Sequence, residues 1–146
     1  MHINFLNDEH KRRFEVLTAA GQVSVRDIER VAMFYIWAGN VDLYRKSAAL
    51  YDFDERLIRN DWDERADFSS GAQGLVCLSF NLYNGYPANV YNIFGCLDTE
   101  NRKLAIRAIS IRFNVEPETP EREDDWEDEL DRYITSGEHE IWQKGE

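Results

Sequence analysis

The stretch from Ser69 to Gly85, S-S-G-A-Q-G-L-V-C-L-S-F-N-L-Y-N-G, constrains the fold more than any other part of the chain. Between Ala72 and Tyr83 it carries Leu75, Val76, Cys77, Leu78, Phe80, Leu82 and Tyr83, with no charged residue among them. A helix that is apolar on nearly every side has to be covered by other protein. At roughly a dozen residues it is too short to cross a bilayer, which needs about 20. Ser69 or Ser70 can cap its start, and Gly85 stands where a left-handed residue would end it. The stretch therefore predicts an all-α fold, a compact multi-helix bundle around a central apolar helix at about 70–84.

The flanking segments supply covering helices. Asn7 precedes D-E-H-K-R-R-F-E-V-L-T-A-A and Gly21 follows, so a capping residue, first-turn acids and a terminal glycine frame one helix. Phe14, Leu17 and Ala20 share a side of it, while Lys11, Arg12 and Arg13, flanked by Glu9 and Glu15, read as a solvated face. Ser24 with Asp27 three residues on predicts the start of a second helix. It runs through Ile28, Val31, Ala32, Tyr35 and Ile36 to Gly39, and Phe34 and Trp37 widen its apolar arc so that neighbours must cover two sides. Asn40 starts a third through Val41, Leu43, Tyr44, Ala48 and Leu50; loops this short imply antiparallel or steeply crossing neighbours. Beyond the turn Gly85-Tyr86-Pro87, Asn89 heads a short helix through Val90, Ile93 and Phe94. Asp98 then caps a helix in which Leu104, Ala108 and Ile111 share one face, with Ile109 and Phe113 beside it. Lys103, Arg107, Ser110 and Asn114 line its wet side, and the period, nearer 3.6 than 2, decides against a strand.

Charge divides the chain more sharply than hydropathy does. The formal net charge is −11, yet residues 116–146 hold 13 Asp and Glu against 3 Lys and Arg, leaving 15 against 14 in residues 1–115. Pro117 and Pro120 mark the boundary, giving a helical core domain at 1–115 and an acidic C-terminal extension at 116–146. Thr119-Pro120 reads as a helix start. Trp126, Leu130, Tyr133 and Ile134 follow at helical spacing, making an acidic amphipathic helix that closes at Ser136-Gly137, with Ile141 and Trp142 beyond it. An acidic segment without such a stripe would read as disordered. Here the stripe calls for a cover: the chain's own body, a second copy or another protein.

The acidity argues against direct nucleic-acid binding and against anionic membranes, since affinity for phosphates comes from Lys and Arg. No signal-peptide core is present, because Ile3, Phe5 and Leu6 are interrupted by Asp8-Glu9-His10. Cys77 and Cys96 lie in apolar stretches and read as reduced core residues of a cytoplasmic protein. His2, His10 and His139 have no ligand spacing, and neither H-E-x-x-H, C-x-x-C, G-x-S-x-G nor a P-loop occurs. D-F-D-E-R at 52–56 recurs as D-W-D-E-R at 61–65. A calcium loop starting at Asp52 fails, because its fifth, sixth and twelfth positions are Arg56, Leu57 and Asp63; both copies read as helix starts with local Asp–Arg pairs. G-A-Q-G at 71–74 reads as close helix packing, for it lacks the basic neighbours of a phosphate clamp. No catalytic residue, metal or cofactor is expected. An enzyme would require a deep pocket lined by polar residues around Asn81, Asn84 and Tyr86.

I-N-F-L-N-D-E-H at 3–10, A-G-N-V-D-L-Y at 38–44, F-N-L-Y-N-G-Y at 80–86 and I-R-F at 111–113 resemble an uncharacterised family of small helical proteins from Gram-positive bacteria and their mobile elements. The likeness covers about the first 114 residues and implies no activity. It makes the acidic tail an appendage with a role of its own.

The function expected is therefore a non-enzymatic protein-binding module. Clustered carboxylates on a helix can imitate a phosphate backbone, so the chain would inhibit a host nucleic-acid-binding or defence protein as an acidic mimic. Asp124, Asp125, Glu127, Asp128, Glu129 and Asp131 would supply the charge, and Trp126 and Tyr133 the anchors. The partner would be a protein with a basic surface. The alternative is a structural helical domain whose tail completes the bundle or a homodimer.

Overall fold

The computed structural model describes residues 2–116 and 125–136. The chain divides into two units, Met1–Glu116 and Pro117–Glu146. The first holds α1 (Asp8–Ala20), α2 (Ile28–Gly39), α3 (Val41–Arg45), α4 (Ser47–Leu50), a two-stranded hairpin of β1 (Tyr51–Asp52) and β2 (Leu57–Ile58), α5 (Trp62–Arg65), α6 (Ser70–Asn84), α7 (Val90–Gly95) and α8 (Thr99–Phe113); the second holds α9 (Asp125–Ser136). The described residues are thus mostly helical, with one small antiparallel sheet.

The body is built on α2. From Val31 to Ala38 every residue is buried, and α1, α6 and α8 pack around it. The reason lies in its composition, since no charged or amide side chain occurs between Arg30 and Asn40. The apolar helix α6 is one of the three laid against it, and its Gln73 and Asn84 reach solvent. Phe34 and Trp37 of α2 enter an aromatic cluster with Tyr51, Phe53 and Phe80, ring centroids lying 5.0–6.2 Å apart. Such pairs contribute about 0.5–1.5 kcal/mol each beyond the area they bury. The Trp37 indole donates to Ser79 Oγ (3.0 Å), and Ser79 donates on to the Val76 carbonyl (2.7 Å). Both polar groups lie fully inside the body and both are satisfied, as burial demands.

Short polar side chains start six of the helices: Asn7, Asp27, Asn40, Ser69, Asn89 and Asp98 each accept a backbone N–H three residues on. Each such cap is worth about 1 kcal/mol. Gly85 ends α6 at φ 83°, the left-handed conformation that a side chain would strain. Gly71 and Gly74 let α7 close on α6: a side chain at these positions would meet the Cys96 carbonyl and Ile93.

Several expectations are corrected. The second helix starts at Asp27, not Ser24. Ser24 Oγ accepts the Arg26 N–H in a local turn, whereas the Asp27 carboxylate both caps α2 and pairs with the Arg30 guanidinium (2.9 Å). The third helix breaks at Lys46 into α3 and α4. The first D-F-D-E-R copy is a hairpin turn, in which Asp52 Oδ1 accepts the N–H groups of Asp54 and Glu55 and Arg56 turns left-handed at φ 58°. Burial of Tyr51 beneath that turn decides against a helix there. Cys96 is exposed and so is no core cysteine, whereas Cys77 is half-buried and packs against the core from its edge. Phe113 is 61% exposed rather than packed beside the core. Arg107, expected in water, is half-buried and donates to the Phe5 carbonyl (3.2 Å).

Candidate functional site

Of the residues expected to meet a partner, Glu127, Asp128, Glu129, Asp131 and Tyr133 lie on α9. Asp125 and Trp126 form its first turn, their side chains lying outside the described part, and Asp124 lies outside the described residues. The expected start at Thr119-Pro120, the close at Gly137, and Ile141 and Trp142 lie outside them too. At 3.6 residues per turn, Asp128 and Asp131 fall on one face and Leu130, Tyr133 and Ile134 on the other, with Glu127 at the seam beside Ile134 and Glu129 at the seam beside Tyr133. All these side chains are exposed; Leu130 retains 47% of its surface and Ile134 53%. Acidic residues early in a helix suit the positive end of its dipole, but Glu127 and Asp131 repel at i, i+4.

The electrostatics of this face are one-sided. Among the described residues no cation is paired with the carboxylates of Glu127, Asp128, Glu129 or Asp131. The guanidinium of Arg132 turns to the backbone carbonyl of Asp128 (3.3 Å) instead. An acidic face of this kind can steer a basic protein surface towards it and form charge-assisted hydrogen bonds on arrival.

The body carries an open cavity of about 610 Å³ lined by Asp27, Glu29, Arg30, Leu57, Ile58, Asn60, Tyr83 and Asn84. Its one strong cation is already engaged. Arg30 binds Asp27, Tyr51 Oη (3.0 Å) and the Arg56 carbonyl (3.0 Å), and stacks over the Tyr83 ring at 5.2 Å. Arg30 therefore joins α2, the hairpin and α6 as a structural clamp. Asn81 and Asn84 instead secure the turn after α6, bonding the Tyr86 carbonyl (2.8 Å) and N–H (3.2 Å) respectively. Among the described residues, no group of three or more His, Cys, Asp or Glu side chains is placed to hold a metal ion.

The basic group on α1 separates in two. Arg12 pairs with Glu9 in the open (2.8 Å), whereas Arg13 donates to the Ala38 carbonyl at the end of α2 (2.6 Å). His10, which has no ligand spacing in the sequence, is fully buried. Its Nδ1 accepts the Leu6 N–H (3.1 Å) and its Nε2 lies 2.9 Å from the Tyr35 carbonyl. An acceptor role at Nδ1 fixes the neutral tautomer protonated at Nε2, which then donates to Tyr35. Burial first, and the nearby charges of Arg13 and Arg107, push its pKa down to about 4, against the raising effect of the Tyr35 hydrogen bond. One signal was available in the sequence: Asn7-x-x-His10 occupies the frame of a capping box, with His in the place usually held by Glu or Gln.

The model of a family of unknown function, DUF6075, covers residues 1–125. No curated protein and no solved structure matches the chain. No helix among the described residues is long and apolar enough to cross a membrane.

Proposed function

Since the chain belongs to the DUF6075 family, whose function is not known, we propose its role from its own surfaces: a non-enzymatic protein-binding module that engages a partner through α9. The observation that carries this reading is the set of four exposed carboxylates on α9, unpaired with any described cation, beside an exposed apolar stripe. Exposed apolar residues beside uncompensated charge suit a protein partner with a basic surface better than they suit solvent alone. Family membership supports the separation of roles. The match takes in all of the body and, of α9, reaches only the first residue. In the fullest form of the proposal the partner is a nucleic-acid-binding or defence protein of the host of a phage or mobile element. The chain acts in the cytoplasm as an inhibitor, its carboxylates taking the place of backbone phosphates. Trp126 and Tyr133 anchor the contact.

The test replaces Asp124, Asp125, Glu127, Asp128, Glu129 and Asp131 by Asn or Gln and measures binding to a panel of basic nucleic-acid-handling proteins at rising salt. The expected result is a loss of about tenfold or more in affinity with the circular dichroism of the body unchanged. Binding that ignores both salt and the six substitutions would sink the proposal. Loss of a homodimer, or a sharp fall in melting temperature on deleting residues 117–146, would assign the tail to self-assembly instead.

A further inference from the structure

Three consecutive residues before α1 are each held by a different helix. Tyr35 of α2 donates its hydroxyl to the Asn4 carbonyl (2.6 Å), Arg107 of α8 donates to the Phe5 carbonyl, and His10 of α1 accepts the Leu6 N–H. Phe5 sits on the rings of His10, Phe14 and Tyr35, with centroids 5.1–5.9 Å away. Residues 2–6 lie in no helix or strand, so these side-chain bonds and ring contacts are what fasten the segment. Two of the three bonds are indifferent to mild acid. One is donated by a guanidinium, a group that proteins do not deprotonate, and burial raises the Tyr35 phenol that donates the other to about 12.

The third bond is different, because it exists only while Nδ1 carries a lone pair. We propose that His10 is a proton-operated latch: proton uptake at Nδ1 breaks the bond to Leu6 and frees residues 2–6 from a body that stays folded. Protonation turns the acceptor into a donor aimed at another donor, the Leu6 N–H. It also places a cation in a fully buried ring cluster. The charged groups acting on it are Arg13 from its own helix and Arg107 from α8, both repulsive; Tyr35 from α2 is neutral and offers only its carbonyl. No carboxylate among the described residues is bonded to His10. The segment yields before the helix does. α1 remains fixed by the buried Leu17 and by the Arg13 bond to Ala38, whereas residues 2–6 have no helical hydrogen bonds to lose.

The sign follows from linkage. The latched form holds its proton only near pH 4, whereas a released imidazole titrates near 6.5, so the latched form is fully favoured above about 6.5 and loses ground as pH falls towards 4. From about pH 7.5 to about pH 5 the protection of the Leu6 amide against hydrogen exchange, corrected for intrinsic rate, should fall about 30-fold. The amides of Leu75 and Val76 in α6 should keep theirs. Imidazole ¹⁵N shifts should report the Nε2-protonated tautomer at the upper pH. In His10→Gln, which keeps an acceptor and a donor but cannot titrate, the pH dependence at Leu6 should disappear. Unchanged protection of Leu6 in the wild-type chain would overturn the proposal, and so would loss of protection at Leu6 and Leu75 in step, which would mean global unfolding.

Discussion

α2 and α9 are both twelve residues long, and they meet opposite fates. α9 gathers Leu130, Tyr133 and Ile134 into one apolar stripe flanked by acids, yet none of its described side chains is buried. α2 shows little separation after Arg30, and its next eight residues all lie inside the body. The lesson is that amphipathic patterning marks a helix with one face to cover, without saying what covers it. A run of aromatic and branched residues on all sides leaves no such choice.

The contrast can be broken at its strong end first. Trp37→Ala should remove about 3–5 kcal/mol from the body, since it opens a cavity among Phe34, Tyr51 and Phe80 and strips Ser79 of its donor. Urea unfolding followed by fluorescence of the remaining tryptophans reads this, and a cost below about 1 kcal/mol would mean α2 is not the hub. A smaller loss, about 1–3 kcal/mol, is expected for Gly39→Ala. A Cβ at Gly39 would press on the buried Leu104 of α8, with Cδ2 only 2.8 Å away. Restoration by a second change, Leu104→Val, would locate the clash in that contact. At the weak end, Ile134→Ala on α9 should alter the stability of the body by no more than about 0.5 kcal/mol, as exposed substitutions usually do. A larger drop would reverse the contrast and make α9 part of a core.

How much of this was legible depends on where each signal resides. Helix ends were readable at Asn7, Asn40, Ser69, Gly85, Asn89 and Asp98, because a cap acts within three or four residues of itself. At Ser24 the same logic misled, since the competing Asp27 could satisfy a helix start and an arginine together. The two near-identical pentapeptides make the limit plain. D-W-D-E-R forms the short helix α5, with Asp61 bonded to Arg65 (2.8 Å). D-F-D-E-R turns a hairpin, whose Arg56 reaches the Gly21 carbonyl (3.2 Å) on a distant loop.

The sequence by itself determined the helical class, most of the helix boundaries and the concentration of negative charge beyond Pro117, because propensity, capping and charge are properties of neighbouring residues. Only the tertiary structure decided that α2 rather than α6 would be enclosed, that Arg30 and Arg107 would act as clamps, and that a lone histidine would be buried neutral between Leu6 and Tyr35. Those outcomes rest on contacts between segments far apart in the chain. Their energies come from desolvation and from hydrogen-bond partners that no local window contains.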